Sequence, residues 1–189
     1  MSLIPSFELG LLNAWILTLP FILLWVTFLF LNKEKMKSSA WERVDKKEKK
    51  SEILVQLTFF GAIIYSVFLP LELETTLLWI GLLIYMIGII FFAMAVLAFT
   101  ATPKDRPVTK GIYRISRNPM DLAGFILFFG VGIACVSWVF LIFAVLLIVL
   151  MAKFVVYEEA ICIGKYGDAY VEYRNKTPKW IGIPKSNKE

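Results

Sequence analysis

LAGFILFFGVGIACVSWVFLIFAVLLIVLMAKFVVY, residues 122–157, runs for 36 residues with one charge, Lys153, near its end. As a single helix it would be about 54 Å long, well beyond the ~30 Å hydrocarbon core of a bilayer. Two crossings of about 17 residues each would fit. The natural break is Cys135-Val136-Ser137, just after Gly130 and Gly132. The stretch therefore reads as a hairpin of two short helices, about 122–135 and 138–157.

Three further apolar runs precede it. Leu9 to Leu31 is interrupted only by neutral polar residues and Pro20, which should kink it. Ile53 to Pro70 and Thr75 to Thr100 are joined by Leu71-Glu72-Leu73-Glu74, a tight connection. The expectation is an all-α integral membrane protein with five transmembrane helices, at about 9–31, 53–70, 75–100, 122–135 and 138–157. Residues 1–189 form one membrane domain, in which 101–121 and 158–184 are cytoplasmic segments available for chemistry.

Charge placement supports this count. Segment 32–52 holds eight Lys/Arg, 101–121 holds five and 153–189 holds seven, together all twenty in the chain. The other side would carry only Glu8, Glu72 and Glu74. Five crossings put every basic residue on the cytoplasmic side, as the positive-inside rule requires, with the N-terminus out and the C-terminus in. Four crossings would leave the basic tail outside. No Lys or Arg precedes the first run, and the run is too long for a signal-peptide core, so cleavage is not expected.

Composition narrows the chemistry. The 189 residues are 59% apolar and 15% aromatic, with a net charge of +5, which is far from an ordinary water-soluble domain. There is no His, which removes Ser-His-Asp triads, Cys/His zinc sites and His proton relays. Cys135 and Cys162 fall near opposite membrane surfaces and cannot pair. No Gly-x-Gly-x-x-Gly or P-loop motif occurs, no metal site is expected, and nucleic acid is not an expected partner. Gly81, Gly88 and Ala95 recur at intervals of seven, as suits close helix–helix approach. Asn13 and Gln56 are lone intramembrane polar residues, expected to hydrogen-bond between helices.

The residues the membrane does not need lie in two basic-side segments. Residues 107–120 contain Gly111, Tyr113, Arg114 and Arg117-Asn118-Pro119; residues 158–173 contain Glu158-Glu159, Tyr166-Gly167, Tyr170 and Tyr173. Arg117 sits where Asn118-Pro119 fixes the chain before a helix, a suitable receptor for an anionic headgroup or carboxylate. Asp121, four residues on, is positioned to pair with it. Glu158-Glu159 is unusual at the end of a long apolar helix, where acidic groups oppose the helix dipole. The pair would suit hydroxyls, an amine or a positive charge.

These two segments resemble the small membrane methyltransferases that include isoprenylcysteine carboxyl methyltransferase and the phospholipid N-methyltransferases. Their pattern is Gly-x-Tyr, then Arg-His-Pro entering a helix, a hairpin, a Glu-Glu pair, and Phe/Tyr-Gly-x-x-Tyr-x-x-Tyr. Gly111, Tyr113, Arg117 and Pro119 match the first part. Glu158, Glu159, Tyr166, Gly167, Tyr170 and Tyr173 match the second, and Pro178-Lys179-Trp180-Ile181 resembles the closing segment. Asn118 stands at the His, Asp121 stands where Tyr is usual, and Asp105-Arg106 replace an upstream His.

The resemblance implies an S-adenosylmethionine-dependent methyltransferase with the donor in a cytoplasmic cavity. A lipophilic acceptor, a prenylcysteine-type carboxylate or a lipid headgroup, would enter from the bilayer. It implies cofactor contacts at Gly111, Tyr113, Asn118, Pro119, Glu158, Glu159 and Tyr170. Acceptor contacts would fall at Arg117, Asp121 and Tyr173, with Arg117 and Glu158 catalytic. The implied location is a prokaryotic cytoplasmic membrane, the site facing the cytoplasm. Methyl transfer from a sulfonium needs positioning and water exclusion more than a metal or a covalent intermediate, so the absence of His is no obstacle. A non-catalytic lipid-binding or assembly protein of the same fold is the alternative. Sterol reductases share part of the C-terminal pattern but have about twice as many helices.

Overall fold

The computed structural model describes residues 9–37 and 46–182. Glu8, Lys188 and the last residues of the 158–184 segment lie outside the described residues. The described chain is all-helical. It comprises α1 (Trp15–Leu31), α2 (Lys33–Lys37), α3 (Lys46–Val67), α4 (Thr76–Ala101), a 3-10 turn (Gly111–Arg114), α5 (Pro119–Ala134), α6 (Trp138–Tyr166) and α7 (Asp168–Lys176). Three helices, α3 from Lys50, α4 and α6, are long and apolar enough to cross a membrane; α1 and α5 are apolar but shorter.

The elements differ from the hydropathy boundaries in informative ways. α1 begins at Trp15, not at residue 9, because Leu12 and Ala14 exchange backbone hydrogen bonds with Leu71 and Leu69 beside an isolated bridge from Asn13 to Pro70. α3 starts at Lys46 and ends at Val67, since Lys and Glu extend a helix that hydropathy alone cuts at 53. α4 and α5 are each displaced by one to three residues, with Pro119 at the first turn of α5, where its missing N–H costs nothing. The hairpin break falls at Cys135–Ser137. The Ser137 hydroxyl accepts from the Phe140 N–H and caps α6, and Val136 adopts φ 49, a sharp exception for a β-branched residue.

The largest correction concerns α6, which continues nine residues past Tyr157 to Tyr166. Glu158 and Glu159 therefore lie inside a helix, not at its end. Hydropathy falls at Glu158, but Glu, Ala and Lys are good helix formers, and the helix stops only at Gly167, φ 57.

The α4–α5 crossing is tightly packed, and glycine makes it so. An added Cβ at Gly88 would meet the Leu127 backbone N at 2.7 Å, one at Gly130 would meet the Tyr85 N at 2.5 Å, and one at Gly81 would collide with Ala134. Gly81, Gly88 and Ala95 are buried on this face of α4. Replacing Gly88 with Leu should destabilise the fold by at least ~1–3 kcal/mol. Gly164→Ala, where nothing lies within 4 Å, should instead be neutral or slightly stabilising. Thermal unfolding in detergent compares the two; equal melting points would mean the crossing is not tight.

α1 lies along α3 and α4. Thr18 and Ser66 share a hydrogen bond of 3.0 Å, and the Asn13 amide donates to the Val67 carbonyl at 2.8 Å, an interhelical contact as expected. Gln56 does not behave so: it donates to Glu52 of its own helix at 3.2 Å. Phe21 is edge-on to Phe59, Phe92 and Phe128, tying four helices together. Large apolar side chains such as Leu23, Leu57, Trp79, Leu83, Leu97 and Ile142 are exposed on the outer faces, as in a protein solvated by lipid.

Candidate active site

Two short segments are tied together at the basic end of the bundle. Gly111, at φ 62, starts the 3-10 turn that buries Tyr113. The Tyr173 hydroxyl donates to the Tyr113 carbonyl at 2.7 Å, joining α7 to that turn. The extended chain after α7 then pairs with residues 115–118. Arg117 N–H donates to the Pro178 carbonyl at 3.0 Å, Gly182 N–H to Ile115, and the Asn118 side-chain amide to the Lys179 carbonyl at 3.1 Å. Val108, Ile112, Tyr113, Tyr170 and Tyr173 pack into a small core of their own with Ala95 of α4. Burial pushes the phenols of Tyr113, Tyr170 and Tyr173 well above their ordinary range, so they stay neutral hydrogen-bond donors.

Arg117 is held between elements. Its Nη1 donates to the Arg174 carbonyl at 2.7 Å, and its Nη2 lies 3.1 Å from Glu159 Oε1; both side chains are close to nine-tenths buried. The alternative Arg117–Asp121 pair, which the four-residue spacing allows, is not formed; Arg117 pairs with Glu159. Extension of α6 past Tyr157 brings Glu159 to the guanidinium instead. Arg117 Nε and Glu159 Oε1 are buried without a well-formed hydrogen bond among the described residues. The close Nη2–Oε1 approach is thus an ion pair with capacity for a further donor or acceptor.

Beside this pair opens a cavity of about 760 Å³, within the range of sites for small molecules and cofactors. Tyr113, Arg117, Asn118, Pro119, Asp121, Glu158, Glu159, Tyr170 and Tyr173 all line it. Of the expected site residues, Gly111 alone is not in its wall; its place is the turn that presents Tyr113. The other end of the cavity is aromatic and aliphatic, walled by Phe21, Trp25, Phe59, Phe128, Leu147 and Met151. Along α6 the lining passes from Leu147, Met151 and Phe154 to Glu158, Cys162 and Lys165, a single face of one helix. Among the described residues no group of three potential metal ligands comes together.

The sequence reading missed the near wall. Lys35, Glu52 and Gln56, from α2 and α3, also line the cavity. Lys35 donates to the Phe99 and Thr102 carbonyls at 2.7 and 2.9 Å, capping α4. Burial and the Lys165 ammonium lower its pKa to about 8. In the sequence these residues are one Lys among eight in a basic loop and two polar positions in an apolar helix. Only tertiary packing distinguishes them.

The family model for phospholipid methyltransferases matches residues 74–169. The chain belongs to the phospholipid methyltransferase family. Membership brings methyl transfer at membranes as the family's general activity. No curated protein matches the chain. The matched residues span α4 through the start of α7, and so include Arg117, Asp121, Glu158 and Glu159. The wall from α1, α2 and α3 lies outside them.

Proposed function

We propose that this protein is a five-span membrane methyltransferase that uses S-adenosylmethionine and methylates a lipid-like acceptor at its cytoplasmic face. The observation that supports this best is one continuous cavity with an acidic, tyrosine-rich end and an aromatic, apolar end. A water-soluble cofactor and a lipid chain need those two environments side by side.

The donor set suits a cationic, hydroxyl-bearing cofactor. Asp121 and Glu158 act on each other electrostatically across the cavity wall, an arrangement that a positive ligand relieves. The unmatched hydrogen-bonding capacity of Glu159 Oε1 suits a hydroxyl or amine. When bound, S-adenosylmethionine supplies an electrophilic methyl group on a sulfonium. The chain's own residues do the rest. Glu158 and Asp121 offset positive charge, Tyr113, Tyr170 and Tyr173 exclude water, and Arg117 with Glu159 holds the walls in register. The aromatic chamber holds the acceptor's apolar part, and Glu158 or Asp121 can take a proton from its nucleophile.

In this reading α1 and α5, about 24–26 Å long, also cross the membrane, alongside their longer neighbours. Lys47 and Lys188 should then lie on one side and Glu72 on the other. Single cysteines placed at 47 and 188 should be shielded from an impermeant maleimide in intact cells, while one at 72 reacts. External labelling at 188 would refute the five-span arrangement. The function itself is tested by incubating purified protein with methyl-labelled S-adenosylmethionine and total membrane lipid. Label should appear in a lipid fraction. Tight donor binding with no labelled lipid would favour the non-catalytic alternative.

A further inference from the structure

α5 carries three glycines, and packing accounts for two of them. An added Cβ at Gly130 would strike the Tyr85 backbone and one at Gly132 would strike the Leu141 side chain, whereas at Gly124 it would meet nothing within 4 Å. A glycine inside a helix costs stability relative to alanine, and no neighbour demands it at 124. The space it leaves belongs to the cavity, because Asp121, Gly124, Phe125 and Phe128 line it from one face of α5.

Gly124 stands between the cavity's two environments. Asp121 precedes it by about 4.5 Å along the helix axis, and Phe128 lies about 6 Å beyond it. Asp121 belongs with Glu158, on which it acts electrostatically. The Phe128 ring stacks on Phe140 at 5.6 Å and meets Phe21 edge-on at 5.9 Å. α6 lines the same cavity with Glu158 at the acidic end, then Phe154, Met151 and Leu147 toward the apolar one. Phe125, the next residue on α5, rests against Trp180 at 5.5 Å. The missing side chain at 124 therefore leaves a throat between the acidic end and the aromatic chamber.

We propose that Gly124 controls which acceptors reach the methyl group: its bare Cα keeps open the throat through which an acceptor's polar end passes, its chain remaining in the aromatic chamber. The inference rests on the methyl-transfer reading and adds to it the residue that sets acceptor access. In that transfer the acceptor's lone pair forms the bond to the methyl carbon while the carbon–sulfur pair withdraws onto sulfur, leaving a neutral thioether. A proton on the nucleophile passes to Glu158 or Asp121. The reacting atoms must first close to about 3–3.5 Å in line, so a side chain projecting into the throat stops the reaction. Packing and access predict opposite outcomes at this position. A side chain that fills empty space beside a helix should preserve or raise stability while closing the passage.

The test uses full-length protein in nanodiscs and two stable probes, aza analogues of S-adenosylmethionine. In both, a protonated nitrogen replaces the sulfonium; one carries methyl and the other n-decyl. Wild-type protein should bind the decyl probe at least as tightly as the methyl probe in calorimetry, because the chain threads the throat into the chamber. Gly124→Leu should bind the methyl probe within about twofold of wild type and the decyl probe more than about tenfold more weakly than wild type does. Gly124→Ala should fall between, with a melting point no lower than wild type. If wild-type protein takes the methyl probe and rejects the decyl probe, the throat is refuted and the donor reading stands. Undiminished decyl affinity in Gly124→Leu refutes it equally, as does a lowered melting point in Gly124→Ala, which means that the space is filled. If Gly124→Leu does not fold, the comparison passes to Gly124→Ala, where decyl affinity equal to wild type overturns the proposal. If wild-type protein binds neither probe, the donor reading fails and the throat with it.

Discussion

Replacing Arg117 with Ala should cost the folded protein about 3–5 kcal/mol, the usual penalty for breaking a buried ion pair by removing one partner. The loss has two sources. Glu159 is left as a buried carboxylate without its counter-ion, and the Arg174 carbonyl loses its 2.7 Å donor. Arg117→Lys should fall between, because an ammonium can satisfy one of these partners but cannot span both as a planar fork does. Removing both charges, as in Arg117→Met with Glu159→Leu, should recover most of the stability, since no unpaired charge remains. Thermal or denaturant unfolding in detergent measures all three. A loss below about 1 kcal/mol for Arg117→Ala would mean that the pair is solvated and not a brace. The recovered double variant then isolates function. If it binds S-adenosylmethionine as wild type does, Arg117 and Glu159 are purely structural. If it folds but binds weakly, the unmatched capacity of Glu159 belongs to the ligand.

The apolar helices were largely legible because hydrocarbon imposes one demand, length of apolar helix. The hairpin break shows this well: Gly130, Gly132 and the Cys135–Ser137 step were visible as the one place where 36 apolar residues could fold back. The end of α6 was not legible by the same means. Hydropathy reports where lipid ends, whereas the helix ends where backbone conformation requires it, at Gly167. That nine-residue difference changed the chemistry, because it put Glu159 against Arg117 and left Asp121 to face Glu158. Motif spacing picked out residues that share one cavity wall, Tyr113, Arg117, Glu158, Tyr170 and Tyr173. The near wall was invisible. Lys35 and Glu52 belong to no motif, and their approach depends on how α1 to α3 pack.

The pairing of Asp121 with Glu158 leads to the second large effect. Glu158→Gln should weaken S-adenosylmethionine binding about ten- to a hundredfold, the loss expected for one charge-assisted interaction. The more telling quantity is the difference between donor and product. S-adenosylmethionine carries a sulfonium and S-adenosylhomocysteine does not, although the two share every hydroxyl and amine. If Glu158 acts through its charge, Glu158→Gln should reduce affinity for the donor several-fold more than for the product. If it acts only by hydrogen bonding to a ribose, both should weaken alike, and Gln should retain part of the contact. Asp121→Asn supplies the coupling. Because the two carboxylates act on each other, removing either lets the other hold its charge more readily and so compensates for the loss, and the double variant should lose more than the two single losses combined. Calorimetric titration of the four proteins with both ligands completes the cycle. Additive losses would mean that Asp121 and Glu158 serve separate ligands. Equal affinity for donor and product in every variant would remove the electrostatic role assigned to Glu158, and the methyl-transfer mechanism would have to rest on positioning alone.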